Sequence, residues 1–163
     1  MSSVPTELNG LFERLDHVAL AVADPRDVIP LLELIGGTYR NGGHHPTEGF
    51  RWVQFDLPAG PKIELLSPND PQDPDHFLNR FLADRGEGPH HITLKVADIQ
   101  KAVAAVSALG YEVIGENFAN TGWKEAFVHP KSSHGLLIQL AQWDDAASPT
   151  QRSLEEVLGE KGQ

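Results

Sequence analysis

The stretch Leu15-Asp16-His17-Val18-Ala19-Leu20-Ala21-Val22-Ala23-Asp24 returns as Pro89-His90-His91-Ile92-Thr93-Leu94-Lys95-Val96-Ala97-Asp98. His91 follows His17 by 74 residues (91 − 17), close to half of the 163-residue chain. A histidine, a leucine, a valine, an alanine and an aspartate recur in register. Both copies alternate with a period of two, the signature of a β-strand with one buried face. Val18, Leu20 and Val22 form the apolar face of the first copy, and Ile92, Leu94 and Val96 that of the second. His17 therefore shares its side with Ala19 and Ala21, and His91 with Thr93 and Lys95. A core histidine would sit among bulky apolar neighbours. These two sit among small or polar ones, which predicts a ligand-holding face.

Reading outward, each strand runs into a helix. Asp24-Pro25 supplies a cap and a first-turn proline, and the helix carries Val28, Leu31, Leu32, Leu34 and Ile35 up to Gly36-Gly37, with Pro30 early in it. A short strand follows near Thr38 to Arg40, then a loop from Asn41 to Pro46 and strands over Arg51 to Leu57 and Lys62 to Leu66. In the second copy, Asp98 opens a helix carrying Ile99, Val103, Val106 and Leu109, which Gly110 ends. Strands are expected at Tyr111 to Ile114, Lys124 to Val128 and Leu136 to Gln142, with a turn from Pro130 to Gly135.

The pattern predicts an α+β fold made of two βαβββ modules, 14–67 and 89–142, within one domain spanning 14–142. A linker, 68–88, carries a short helix around Phe77, Leu78, Phe81 and Leu82. The tail, 143–163, is polar, and a surface helix is expected from Pro149 to Leu158, docking through Leu154, Val157 and Leu158.

Composition narrows the function. A hydrophobic content of 40%, a charged content of 22% and a net charge of −10 indicate a soluble globular chain that phosphate-rich partners would repel. Neither a nucleic acid nor a membrane is expected as partner. No apolar run approaches the ~20 residues that span a bilayer. The start, Met1-Ser2-Ser3-Val4-Pro5, lacks signal-peptide character, so a cytoplasmic location is expected. With no cysteine in the chain, any metal must use nitrogen and oxygen donors.

The last strand of each copy adds a partner to its histidine. Glu64 lies between Ile63 and Leu65, and Gln139 between Ile138 and Leu140, so both point away from the apolar face. They stand 75 residues apart (139 − 64), one more than the histidines, as a one-residue loop difference would give. Two imidazoles, a carboxylate and an amide oxygen suit a divalent cation that keeps positions open for substrate. Of the other histidines, His90 faces the helix side and reads as structural, His44 and His45 sit in a glycine-rich loop and read as surface-exposed, with the mouth of the cup as the alternative, and His129 and His134 flank a turn and are expected to serve it. Trp52 is expected to line or pack within the ligand-holding face.

Four segments carry a family resemblance: Leu15 to Val22; Ile63-Glu64-Leu65-Leu66-Ser67-Pro68; Gly86-Glu87-Gly88-Pro89-His90-His91-Ile92; and His129-Pro130-Lys131 through Gly135 to the strand Ile138-Gln139-Leu140. They resemble the vicinal-oxygen-chelate superfamily (glyoxalase/bleomycin resistance/dioxygenase), and within it the methylmalonyl-CoA epimerase family. The resemblance implies a cup-shaped mixed sheet around a metal site, with His17, Glu64, His91 and Gln139 as ligands of a divalent ion such as Co, Mn, Ni, Fe or Zn. It also implies a metal-dependent epimerase or isomerase that removes a proton next to a carbonyl, a small-molecule substrate such as an acyl-CoA, and a homodimer.

Two departures from the family pattern stand out. The family usually has Gln at the position of Glu64 and Glu at that of Gln139, so the carboxylate has changed sides. The family's acid/base Glu has Glu48 as its nearest counterpart here, one or two positions late. Glu64 and Glu48 are accordingly the expected catalytic pair. A glyoxalase-type lyase or a ring-cleaving dioxygenase of the same fold would carry Glu at position 139. A metal-free antibiotic-binding member would lack the ligand set.

Overall fold

The computed structural model describes residues 9–147 and 150–159. The fold is mixed α+β, with eight strands and four α-helices among the described residues. None of those helices is long and apolar enough to cross a membrane. The chain divides into two compact units, and their boundaries fall beside the two repeated histidines. One unit takes the described residues up to Asp16 together with 91–147; the other takes 17–90 with 150–159.

In the unit built on 17–90, the strands lie in the order β2-β3-β4-β1. They are β1 (Phe12–Ala21), β2 (Thr38–His44), β3 (Phe50–Asp56) and β4 (Lys62–Pro68). β1 and β4 run parallel, with Ala19 opposite Glu64, and β3 runs antiparallel to β4, with Gln54 opposite Glu64. The single helix expected after β1 is split. A 3-10 turn, Pro25–Asp27, is capped by the Asp24 carboxylate, which accepts from Arg26 N at 3.0 Å. A separate helix, α1 (Ile29–Leu34), then starts with Pro30 in its first turn. Pro30 has no N–H to continue a helical ladder, so it restarts the helix.

The expected loop at Asn41-Gly42-Gly43-His44 is instead part of β2, which carries a one-residue bulge between Tyr39 and Asn41. Gly42 is required by close approach: a Cβ there would stand 2.8 Å from Trp52 O and 3.1 Å from Val157 Cγ1. Val157 belongs to the tail helix α4 (Leu154–Gly159) and is fully buried. The expected docking through Leu154, Val157 and Leu158 is found, against a core of Val22, Ile29, Leu32, Val53, Phe55 and Leu65. Pro149, where that helix was expected to start, lies outside the described residues.

The opposite face of the same sheet is not left open along its whole length. The linker helix α2 (Phe77–Arg85) buries Leu78 in a cluster with Ala19, Ala21 and Leu66, joined by Phe50, Trp52, Phe77 and Phe81. Ala19 and Ala21 are small because a helix rests on them, which corrects the reading of both as cavity lining.

In the unit built on 91–147, the strands lie in the order β5-β8-β7-β6. They are β5 (Gly88–Val96), β6 (Val113–Asn117), β7 (Lys124–Val128) and β8 (Ile138–Gln142). β5 and β8 run parallel, with Thr93 opposite Gln139, and β7 places Phe127 opposite Gln139. α3 (Ile99–Ala108) packs Ile99 and Ala102 onto Val96, Ala126, Val128 and Leu140, with Leu11 in the same core. The Asp98 carboxylate caps it, accepting from Lys101 N at 3.1 Å, as the sequence predicts.

Candidate functional site

Each unit carries one histidine and one partner from its own two parallel strands. In the first, His17 and Ala19 share a face of β1, and Glu64 lies opposite Ala19 on β4. The pairing brings His17 Nε2 to 3.5 Å from Glu64 Oε1. Both side chains are buried, 2% and 9% exposed. In the second, His91 and Thr93 share a face of β5, and Gln139 lies opposite Thr93 on β8. Ala19 and Thr93 are counterparts in the repeat, as are Glu64 and Gln139. The one-residue difference in spacing read from the sequence is therefore the register that the strands adopt.

The second half is wired differently from the first. Gln139 Oε1 accepts from the Thr93 hydroxyl at 2.6 Å, and Gln139 Nε2 donates to Glu125 Oε2 at 2.7 Å. Trp123 Nε1 donates to the same carboxylate oxygen at 2.9 Å, and its ring stacks on Trp143 with centroids 4.9 Å apart. The His91 ring meets Phe127 edge-on at 6.3 Å. Glu125 and Trp123 did not enter the candidate set. Alternation along Lys124-Glu125-Ala126-Phe127-Val128 points Glu125 away from the buried Ala126 and Val128, and that is the signal for it.

Lys95, on the same strand face as His91 and Thr93, does not point at an open site. It is buried, with Nζ 2.6 Å from Asp145 Oδ2 and 3.1 Å from Glu13 Oε2, over the Trp143 ring at 5.1 Å. Arg14 bonds the same Asp145 carboxylate at 2.9 Å. These two cations hold the Asp145 carboxyl well below the usual carboxylate range.

Glu48 is exposed in the β2–β3 turn. Its N–H donates to His45 Nδ1 at 3.1 Å, and its carbonyl accepts from His76 Nε2 at 2.8 Å. Phe50, two residues on, pairs with Pro68, four residues along β4 from Glu64. The strand register thus brings Glu64 to His17 but does not bring Glu48 to that pair.

The remaining histidines have structural surroundings. His90 packs on Phe81 and Phe77 of α2, with centroids at 4.9 and 5.8 Å. Burial, with added repulsion from Arg85, pushes its imidazole down to about 4. His44 Nδ1 meets Asn69 Oδ1 at 2.8 Å, and His129 Nδ1 accepts from Lys131 N at 3.1 Å within its turn. Trp52 packs in the cluster under α2.

Among the described residues, no three His, Asp or Glu side chains form a group that could hold a metal ion. The donor chemistry of the two pairs nevertheless fits a divalent cation. The first pair joins an imidazole nitrogen to a carboxylate oxygen at a separation longer than the usual N–H···O bond. The second pair offers an imidazole and an amide oxygen, nitrogen and oxygen donors of the kind that Co, Mn, Ni, Fe and Zn accept.

The family model described as the glyoxalase/bleomycin resistance protein/dioxygenase superfamily matches residues 16–127. The ethylmalonyl-CoA/methylmalonyl-CoA epimerase of Cereibacter sphaeroides is 34% identical over 141 residues, covering 79% of this chain and 97% of that protein. A variant of Streptomyces coelicolor methylmalonyl-CoA epimerase, solved in complex with 2-nitronate-propionyl-CoA, is 26% identical, with a TM-score of 0.69 over 83% of this chain and 99% of that one. A methylmalonyl-CoA epimerase solved with methylmalonyl-CoA and ammonium is 25% identical, with a TM-score of 0.70 over 85% of this chain and 99% of that one.

Proposed function

Because this chain belongs to the glyoxalase/bleomycin resistance protein/dioxygenase superfamily, we propose that it is a metal-dependent epimerase of an acyl-CoA, inverting the carbon next to the thioester carbonyl as a methylmalonyl-CoA epimerase does. The observation that carries the reading is the buried His17–Glu64 pair, with Nε2 and Oε1 3.5 Å apart on a face whose repeat counterpart presents His91 and Gln139. Similarity to epimerases along most of the chain supports the substrate class.

Under this reading His17, Glu64, His91 and Gln139 hold the cation. When bound, the cation supplies Lewis-acid stabilisation of negative charge on the carbonyl oxygen. Inversion needs a proton removed from one face of the carbon and returned to the other. Glu64 is the carboxylate assigned to the first task, and its burial beside His17 keeps bulk water from competing for the proton. Glu48 is assigned to the opposite face, a role that requires the β2–β3 turn to carry it toward the pair, since the strand register does not bring it there.

The test is exchange of the methylmalonyl-CoA α-proton in D₂O, followed by NMR with Co²⁺-loaded protein. The wild-type chain is expected to exchange it, and Glu64→Gln to keep the cation while losing at least about a hundredfold in rate. Full-rate exchange by the Glu64 variant removes Glu64 as the base. Absence of exchange by the wild-type chain overturns the epimerase reading.

A further inference from the structure

The geometry points to Glu125 as the positioning residue that fixes Gln139 with its carbonyl oxygen turned toward the ligand face; the inference rests on the metal-site reading above. The problem it solves arises from the exchanged ligands. A carboxylate such as Glu64 offers an oxygen at either end, so it needs no orienting. An amide offers oxygen at one end and NH₂ at the other, nearly equal in size, and only the oxygen can ligate. Gln139 is 7% exposed, so solvent cannot choose between the two orientations for it.

Glu125 makes the choice. An ionised carboxylate only accepts, so the amide edge 2.7 Å from Glu125 Oε2 must be the NH₂ edge. The carbonyl oxygen is thereby turned the other way, where the Thr93 hydroxyl meets it at 2.6 Å and occupies one of its two lone pairs. The second lone pair remains for a ligand. Glu125 is itself oriented, because Trp123 Nε1 donates to the same oxygen at 2.9 Å and the Trp123 ring is stacked on Trp143. Trp143, Trp123, Glu125, Gln139 and Thr93 form one chain of contacts ending at the amide oxygen.

The first half of the repeat has no carboxylate at the position corresponding to Glu125. Gln54 lies opposite Glu64 as Phe127 lies opposite Gln139, so the counterpart of Glu125 is Trp52. Trp52 packs under α2. At this strand position a carboxylate accompanies the amide ligand, and a tryptophan takes its place in the copy whose ligand is itself a carboxylate. A general need for charge on this face would not produce that pattern.

The experiment uses the full chain and two substitutions. Glu125→Met keeps the volume and removes the acceptor, while Glu125→Gln keeps an acceptor oxygen. Calorimetric titration with Co²⁺ is expected to give about 10- to 100-fold weaker binding for Glu125→Met, the usual loss when an outer partner of a ligand is removed. Glu125→Gln is expected within about threefold of wild type, on the same reasoning. A second readout needs no cation: the side-chain amide protons of ¹⁵N-labelled Gln139 should be slowly exchanging in wild type and Glu125→Gln, and fast in Glu125→Met. Slow exchange retained in Glu125→Met overturns the positioning role, as does unchanged Co²⁺ affinity in a wild-type chain that binds the ion. If the wild-type chain binds no Co²⁺, the metal reading fails, and the amide exchange alone decides the role of Glu125.

Discussion

Lys95 Nζ stands 2.6 Å from Asp145 Oδ2, at a strand position whose counterpart in the other copy is Ala21. The two copies cover the corresponding face of their own strands by different means. In one, the alanine lets Leu78 of α2 settle on the sheet. In the other, a buried ammonium is neutralised by Asp145 and Glu13 and lies over Trp143. Burying an ammonium without such partners would be prohibitive.

Replacing Asp145 by Asn should therefore lower stability at neutral pH, by about 1 kcal/mol, since Asp145 is half-exposed and Glu13 remains. The pH dependence follows in sign. Arg14 and Lys95 hold the folded carboxyl below its unfolded value, so its contribution is fully present above about pH 4 and lost as pH falls further. Urea unfolding at pH 7 and pH 3 should give a gap between wild type and variant that narrows at the lower pH. An equal gap at both would remove Asp145 from the acid response.

The contact between α2 and the sheet should be intolerant of size change in either direction. Leu78, Ala19 and Ala21 are all fully buried. Leu78→Ala should cost about 2–5 kcal/mol through the cavity it leaves. Ala19→Leu should cost about 1–3 kcal/mol by forcing the helix away. Thermal denaturation measures both, and a neutral Ala19→Leu would mean that the helix does not seat on β1.

Gly42→Ala should loosen the tail helix. Its Cβ would crowd both Trp52 O and Val157 Cγ1. The backbone at 2.8 Å cannot yield without disturbing the β2–β3 pairing. The expected loss is about 1–3 kcal/mol, with faster amide exchange over 154–159. Exchange there that matches wild type would mean that α4 docks independently of Gly42.

A divalent cation held by the proposed ligands should raise thermal stability by mass action. At a hundredfold excess over Kd the gain is about 2.7 kcal/mol. Adding Co²⁺ to EDTA-treated protein should raise Tm in the wild-type chain and not in His17→Ala. An equal rise in both would take His17 out of the ligand set.

Much of the fold was legible because strand alternation is local. The period of two placed His17 and Glu64 on one side of their strands and Leu20 and Leu65 on the other, and both leucines lie in or against the core opposite that side. The Asp98 cap was equally readable, since a cap requires only its own turn. The strand at Asn41 to His44 was not. Glycines signal a loop unless something packs on them, and here Val157, more than a hundred residues later, does. The split helix before β2 was half legible: Pro30 was seen, and its breaking of the ladder followed.

The amino-acid sequence by itself determined the two-copy architecture and the direction in which the four candidate ligands point, because both depend on residues within a few positions of one another. The tertiary structure decided what stands across from them. Glu125 meets Gln139 because β7 and β8 pair in one register, Leu78 meets Ala19 because the linker helix folds back, and Lys95 meets Asp145 because the chain returns past Trp143. Those contacts join residues separated by 14 to 59 positions. No local pattern encodes a contact between segments that only strand pairing and helix docking bring together.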